Sequence, residues 1–452
     1  MKGSTIFKEK LTNFYRYPSI CGFQDSIENI DSFMNKLNTD NKIERDTMIY
    51  IHIPFCRSMC IYCPFYKVHV NSIDYEAKKR FVDCLVLELE KYSKEAFFKN
   101  VPIVNVNIGG GTPMLLEIEF YYLILSAIHK NFNMEKCEVI SIEGDPIALQ
   151  DKDKLKELKN MGMTRTSFGI QTFNEVLRKK LGVDSTVPDI YKAVTTLDKC
   201  GVTEWGCDML YNCPEQNVTE IKYNVDRICD LEPTIVDVYD LNISPNTKLQ
   251  KLLDTDYFKS KPSNRNEIEM FSAIMETFAK NDFNHIRSVN FEPNGYKHSK
   301  KGILYAFSAN LLAIGPSART FLYDAGMNYR NHCSIEKYMQ SLSENIYPIE
   351  AGNYITNDII EEREMILFPY YMKVEKNKLN CERFRSTIND LINSGYIRET
   401  NDYLELTELG KLWAGNVQYS FFTEYEKEKM AKSMFQCLQE KRNLFNQDYI
   451  NC

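Results

Sequence analysis

The chain has 452 residues, 44% of them hydrophobic and 26% charged, with a formal net charge of −7. Ordinary composition of this kind excludes a disordered or disulfide-stapled chain, because a core of normal size can be buried. The acidic balance argues against a broad nucleic-acid footprint, which needs a basic excess, and no run approaches the roughly 18–20 apolar residues of a membrane span. Residues 1–29 carry scattered charges and no apolar run, so a secretory leader is not expected and a cytoplasmic protein without membrane partners is. The 14 cysteines are then reduced thiols or metal ligands, most of them singly placed small hydrophobes.

Residues 1–45 read as an N-terminal extension. Met48–Ile53 alternates apolar residues and reads as a strand that Pro54 ends by removing a donor. Cys56, Cys60 and Cys63 follow in the pattern C-x3-C-x2-C. Thiolates are the natural ligands of iron–sulfur clusters, and three of them leave one iron open to a small molecule. Structural zinc wants four ligands, and no second pair of cysteines or histidines stands nearby.

An amphipathic helix is expected over Asp74–Tyr92. The strand Ile103–Ile108 then ends in Gly109-Gly110-Gly111-Thr112-Pro113, where glycines suit either a tight turn or close backbone approach to a ligand. Helix Glu117–Asn131 and strand Glu138–Ile142 lead to Glu143 and Asp145. Glu143 suits a carboxylate accepting from hydroxyls, and Asp145 suits a helix cap. Next come helix Lys152–Met161, strand Arg165–Ile170 with Gln171 at its end, and helices Asn174–Leu181 and Val187–Cys200. Strand Glu204–Leu210 carries Asp208 in mid-strand, which is costly to bury unless paired. Helix Val218–Leu231 and strand Ile235–Leu241, followed by Asn242, complete the series. Six strand–helix units in succession imply a parallel sheet and a full or partial (β/α) barrel, with its site at the carboxyl ends of the strands.

The rhythm changes past residue 340. Asn357–Leu367 and Cys381–Asn393 read as helices, Gly395 as a C-cap, and Tyr396–Arg398 with Tyr403–Leu406 as a hairpin before a helix from Thr407. These imply a small α+β, winged-helix-like domain. The expected division is 1–45, 46–340 and 341–452.

The cysteine segment, the GGGTP run, Glu143, Gln171 and Asp208 together resemble the radical S-adenosylmethionine (SAM) superfamily. Within it the chain is most similar to the oxygen-independent coproporphyrinogen III oxidase-like (HemN-like) family, over about residues 46–420, nearer its class C methylase, cyclopropanase and anaerobilin synthase branches. The resemblance implies a partial (β/α)6 barrel and a [4Fe–4S] cluster on Cys56, Cys60 and Cys63. It also implies SAM chelated at the open iron and cleaved to a 5′-deoxyadenosyl radical. By the same resemblance Tyr50 and Tyr62 contact SAM, and Gly110, Gly111 and Thr112 meet its amino group. Glu143 receives its ribose, and Gln171, Asp208 and Asn242 stand near a second SAM.

Three departures argue against decarboxylation of coproporphyrinogen: Phe65 replaces a fourth cysteine, Val183 an arginine and Asn212 a glycine. The reading that follows is transfer of a SAM-derived methyl or methylene carbon to an sp² carbon of a planar conjugated substrate, with a flavodoxin- or ferredoxin-type electron donor. The alternatives are radical decarboxylation, anaerobic haem degradation, or haem carriage by a chaperone, with His285, His298 or His332 as ligands. Tyr66, Phe168, Phe173, Tyr211 and Tyr239 suit either stacking on a flat substrate or core packing.

Overall fold

The computed structural model describes residues 7–11, 17–20, 25–39, 42–243, 247–296 and 308–439, the side chains of 433–439 excepted. Its six expected strands are β1 (Thr47–Ile53), β2 (Ile103–Gly110), β3 (Val139–Gly144), β4 (Arg165–Gln171), β5 (Glu204–Tyr211) and β6 (Ile235–Asp240). Six more follow: β7 (Phe283–Arg287), β8 (Asn290–Pro293), β9 (Asn310–Ile314), β10 (Arg319–Leu322), β11 (Met327–Asn331) and β12 (Ile349–Tyr354). All twelve join one sheet in the order β12-β11-β10-β9-β1-β2-β3-β4-β5-β6-β8-β7.

The centre of this sheet is parallel from β9 through β1 to β6, and both flanks are antiparallel. The partial α/β barrel is therefore wider than six units. β9 adds a seventh parallel strand beside β1, in a segment for which no strand is expected from the sequence. The sheet also runs on to Tyr354, because Ile349–Tyr354 pairs with Met327–Asn331 beyond the change of rhythm at residue 340.

Each central strand has two chemically distinct faces. Ile49, Ile51 and Ile53 of β1, Val106 and Ile108 of β2, Ile140 and Ile142 of β3, Phe168 and Ile170 of β4, Cys207 and Met209 of β5, and Val236 and Val238 of β6 enter one core. Helices such as Tyr75–Ser93, Ile118–Asn131 and Val218–Cys229 supply the other half of that core. Because side chains alternate along a strand, the intervening residues face inward. These are Tyr50, His52, Asn105, Asn107, Ser141, Glu143, Arg165, Ser167, Gln171, Asp208, Asp237 and Tyr239. A barrel packed for stability fills this space with branched apolar side chains. Here it is a polar lumen, which marks it as a site.

The C-terminal unit has its own core, built on Met365, Phe368, Ile388, Leu391, Tyr396, Leu404, Trp413 and Val417. Helices Asn357–Tyr371 and Arg385–Asn393 pack beside a sheet ordered Lys373–Glu375, Tyr403–Leu406, Ile397–Glu399. The expected hairpin thus gains a third strand, Lys373–Glu375. Among the described residues no helix is long and apolar enough to cross a membrane.

Candidate active site

The cysteine loop leaves β1 at Pro54 and is closed by a two-residue parallel ladder that pairs Phe55 with Val68 and Cys56 with His69. Its middle is tied down from two sides. Ile61 N donates to Leu181 O at 3.0 Å, and Leu249 N donates to Ile61 O at 3.2 Å. The Cys60 thiol points at Gly182 O, 3.4 Å away, and Lys67 Nζ donates to Cys63 O at 2.6 Å. Cys56 is buried at 9% exposure, while Cys60 and Cys63 are half-buried. Burial pushes the Cys56 thiol up to about 12, with Cys63 adding to the rise and Lys67 opposing it. Burial also raises Cys60.

The three thiols act on one another electrostatically. Among the described residues, however, no three His, Cys, Asp or Glu side chains close around a single ion. Three thiols gathered on one short loop suit the corners of an iron–sulfur cube, whose natural ligands are thiolates. The glycine run fits as well. Gly111 N donates to Ile53 O at 2.8 Å and Thr112 N to Phe55 O at 2.7 Å, so the end of β2 lies flush against the cysteine loop. A Cβ on Gly111 would stand 2.6 Å from Phe55 O and 2.8 Å from Cys56 Sγ. Only glycine leaves that cradle open.

Glu143 reaches across from β3. Its Oε2 accepts from Gly110 N at 3.1 Å, and its carboxyl lies where a Cβ on Gly109 would be, 2.4 Å from Oε1. Burial raises it to about 7, against the pull of Gly110 N–H and Arg165. Gln171 ends β4 with a positive φ of 66° after a register slip between Gly169 and Gln171. Its side chain folds back over Gly169, where an added Cβ would meet Nε2 at 2.1 Å. A bulge of this kind re-aims a side chain next to a site. The buried Arg178 holds the bulge from behind: its Nη1 donates to Ile170 O and, at 2.9 Å, to Thr172 O.

Asp208 faces the lumen beside Gly169 and Asp237. Tyr50 OH lies 3.0 Å from His52 Nδ1. Tyr62 packs against Leu177, Leu181 and Leu210, and Val183 joins the same apolar cluster. Asn242 stands half-buried two residues beyond β6. The fold therefore gathers the cysteines, Gly110, Gly111, Thr112, Glu143, Gln171 and Asp208 at the carboxyl half of the sheet and its lumen. Sequence reading missed His52, Asn107, Arg165 and Asp237, which line the same face; the period of two along each strand was the signal for them.

Several aromatic residues are core and do not offer a stacking surface. Phe168 stacks on Trp205 at 5.4 Å and Tyr211 on Phe271 at 5.5 Å, and Phe173 is buried. Tyr66 OH accepts from Ile335 N at 3.1 Å. His285 stacks on Phe291 at 4.4 Å, with both ring nitrogens buried, so it does not present a haem ligand. His298 lies outside the described residues.

Residues 50–228 match the Radical SAM superfamily. The chain is 27% identical over 395 residues to the heme chaperone HemW of Lactococcus lactis subsp. lactis, covering 84% of this chain and 99% of that protein. It is 23% identical to the anaerobilin synthase of Escherichia coli O157:H7, covering 83% of this chain and 84% of that one. It is 25% identical to the anaerobic coproporphyrinogen III oxidase 1 of Cereibacter sphaeroides, covering 72% and 73%. Among solved structures, the coproporphyrinogen III oxidase HemN from Escherichia coli superposes with a TM-score of 0.75 at 19% identity, covering 91% of this chain and 97% of that one. That likeness is one of fold.

Proposed function

The chain is a radical SAM protein of the HemN-like family, and from that premise we propose that Cys56, Cys60 and Cys63 hold a [4Fe–4S] cluster against which SAM is reductively cleaved. The family implies both groups. The observation that supports the assignment to these residues is the cysteine loop lying flush against Gly111, where only glycine leaves the cradle beside Cys56 open. Such a cluster, when bound, supplies the electron for cleavage at its open iron.

The chain's own residues bind, orient and exclude water. Gly110, Gly111 and Thr112 offer backbone carbonyls to the amino group of SAM, and the half-buried Glu143 offers its carboxylate to the ribose. Tyr62 lies beside the adenine, and Tyr50 contacts SAM. Gln171, aimed inward by the bulge, and Asp208 and Asn242 serve a second SAM. Two SAM molecules held close in a lumen shielded from bulk water suit transfer of a methyl or methylene carbon to an sp² carbon. We take the acceptor to be a planar tetrapyrrole, supported by relatives named for haem and coproporphyrinogen, and the electron donor to be a flavodoxin or ferredoxin.

One observation favours a second reading. The similarity to a heme chaperone spans 99% of that relative, which supports haem carriage without turnover. The two are separated on anaerobically reconstituted protein given dithionite and SAM, with and without haem or a porphyrin. Deoxyadenosine with matching S-adenosylhomocysteine is the expected result. Deoxyadenosine alone would replace transfer with hydrogen abstraction, and stoichiometric haem binding with neither product would establish the carrier reading.

A further inference from the structure

The lumen holds an excess of acids. Glu143 of β3, Asp208 of β5 and Asp237 of β6 all face inward, against one lumen guanidinium, Arg165 of β4. Asp208 and Asp237 are register partners on adjacent parallel strands, on the same face, so their carboxyl groups stand side by side. Arg165 is 5% exposed, and its head lies over Gly206, where a Cβ would meet Nη2 at 2.8 Å. Gly206 precedes Asp208 by two residues on the same face, which places the guanidinium directly below the pair.

These charges are near one another without closing into ion pairs. Among the described residues Arg165 Nε makes no hydrogen bond, and neither Asp208 nor Arg165 has an ion-pair partner. Asp237 accepts from Asn290 Nδ2, whose Oδ1 in turn accepts from Tyr370 OH at 3.3 Å; Arg287 of β7 is the other charge acting on it. A buried guanidinium left without an ion-pair partner beside half-buried carboxylates is costly. The excess of carboxylates over guanidinium in this arrangement selects a cation.

We propose that Asp237, side by side with Asp208 above Arg165, recognises the positively charged sulfur of S-adenosylmethionine in the lumen. The proposal rests on the reading that SAM binds in this barrel. A sulfonium neither donates nor accepts a hydrogen bond, so a carboxylate can recognise it only through charge, which a low-dielectric lumen strengthens. Without the cation, burial raises both carboxyl groups; the Asp237 and Glu143 charges add to the rise of Asp208, and Arg165 opposes it on both. A cation bound beside the pair favours the ionised forms and opposes that rise. SAM affinity accordingly rises with pH more steeply than that of S-adenosylhomocysteine, whose sulfur is uncharged.

The test is equilibrium binding of SAM and of S-adenosylhomocysteine to the cluster-reconstituted protein across neutral pH, for wild type, Asp237→Asn and Asp237→Ser. Each variant is checked for folding by its thermal melt. The expected result is a loss of about tenfold in SAM affinity, unchanged affinity for the homocysteine, and a weaker rise with pH. Equal losses for both ligands would show a structural role and overturn the proposal, as would an unchanged ratio and pH profile. Wild-type protein that binds neither ligand would instead overturn the functional reading on which the proposal rests.

Discussion

Cys56 is the residue on which the cluster assignment turns. It is the most buried of the three thiols, it sits three residues beyond the end of β1, and its sulfur occupies the space beside Gly111. Thiolates hold iron only when deprotonated, and burial holds this thiol protonated in the metal-free chain. Cys56→Ala is expected to abolish iron and sulfide content, the brown colour and SAM cleavage together, while the thermal melt of the metal-free protein stays within about 1 kcal/mol of wild type. Iron and sulfide assays on the reconstituted variant check this; a variant retaining both would overturn the assignment. All three cysteines were legible in the sequence because their spacing is local. Arg165 and Asp237 were not, since each is an ordinary charged residue in a strand until its neighbours on other strands are known.

Among the elements, β4 shows most directly how local chain chemistry shapes the site. Its regular register ends at Gly169, and the bulge turns Gln171 inward. Arg178 secures the carbonyls on both sides of that residue and also takes Ser185 O, at 2.9 Å from Nε and 2.7 Å from Nη2. Arg178 is 1% exposed, so its removal strands buried acceptors, each costing about 1–3 kcal/mol. Arg178→Met is expected to lower unfolding stability by about 3 kcal/mol or more, measured by denaturant titration of the metal-free protein. The first six strands and the helices between them were readable from periodicity nearly to the residue, whereas the helix Asn264–Lys280 and the antiparallel flanks of the sheet were not read. β9 was not, because a buried parallel strand beside a glycine turn leaves a short apolar run with no alternation to detect. The third C-terminal strand, Lys373–Glu375, escaped for a related reason: three residues carry too little pattern.

Across the whole molecule, buried acids join distant segments. Glu88, on the helix Tyr75–Ser93, accepts from Gly315 N at 2.9 Å, Asn331 Nδ2 at 2.7 Å and Tyr338 OH at 2.5 Å. It thereby holds the turn after β9 against β1, where a Cβ on Gly315 would stand 2.6 Å from His52 O. Burial raises Glu88 from 4.5 to about 7. A carboxyl raised on folding gives stability that is complete below its unfolded value and lost as pH climbs through the folded one. Unfolding free energy is therefore expected to fall by about 3 kcal/mol from this group between mildly acidic and mildly alkaline pH. Glu88→Gln should flatten that slope in denaturant titrations at several pH values; an unchanged slope would mean that the carboxyl does not titrate in this range.

The N-terminal segment links the two units in the same manner. Arg363 of the C-terminal helix donates to Tyr17 O at 2.6 Å, Lys429 Nζ to Ser19 O at 2.9 Å, and Arg319 Nη2 to Pro18 O. Lys10 pairs with Glu267 at 2.5 Å. None of these contacts is visible in sequence, because each joins residues hundreds of positions apart.

The sequence by itself determined the alternation of strands and helices, the cysteine pattern and the glycine run, since periodicity, turn chemistry and ligand spacing are properties of neighbouring residues. Only the tertiary structure decided which polar residues share the lumen, that a seventh parallel strand widens the barrel, and that His285 and three of the five aromatic candidates are core. Those outcomes depend on which strand lies beside which, and strand order is fixed by packing across the whole chain.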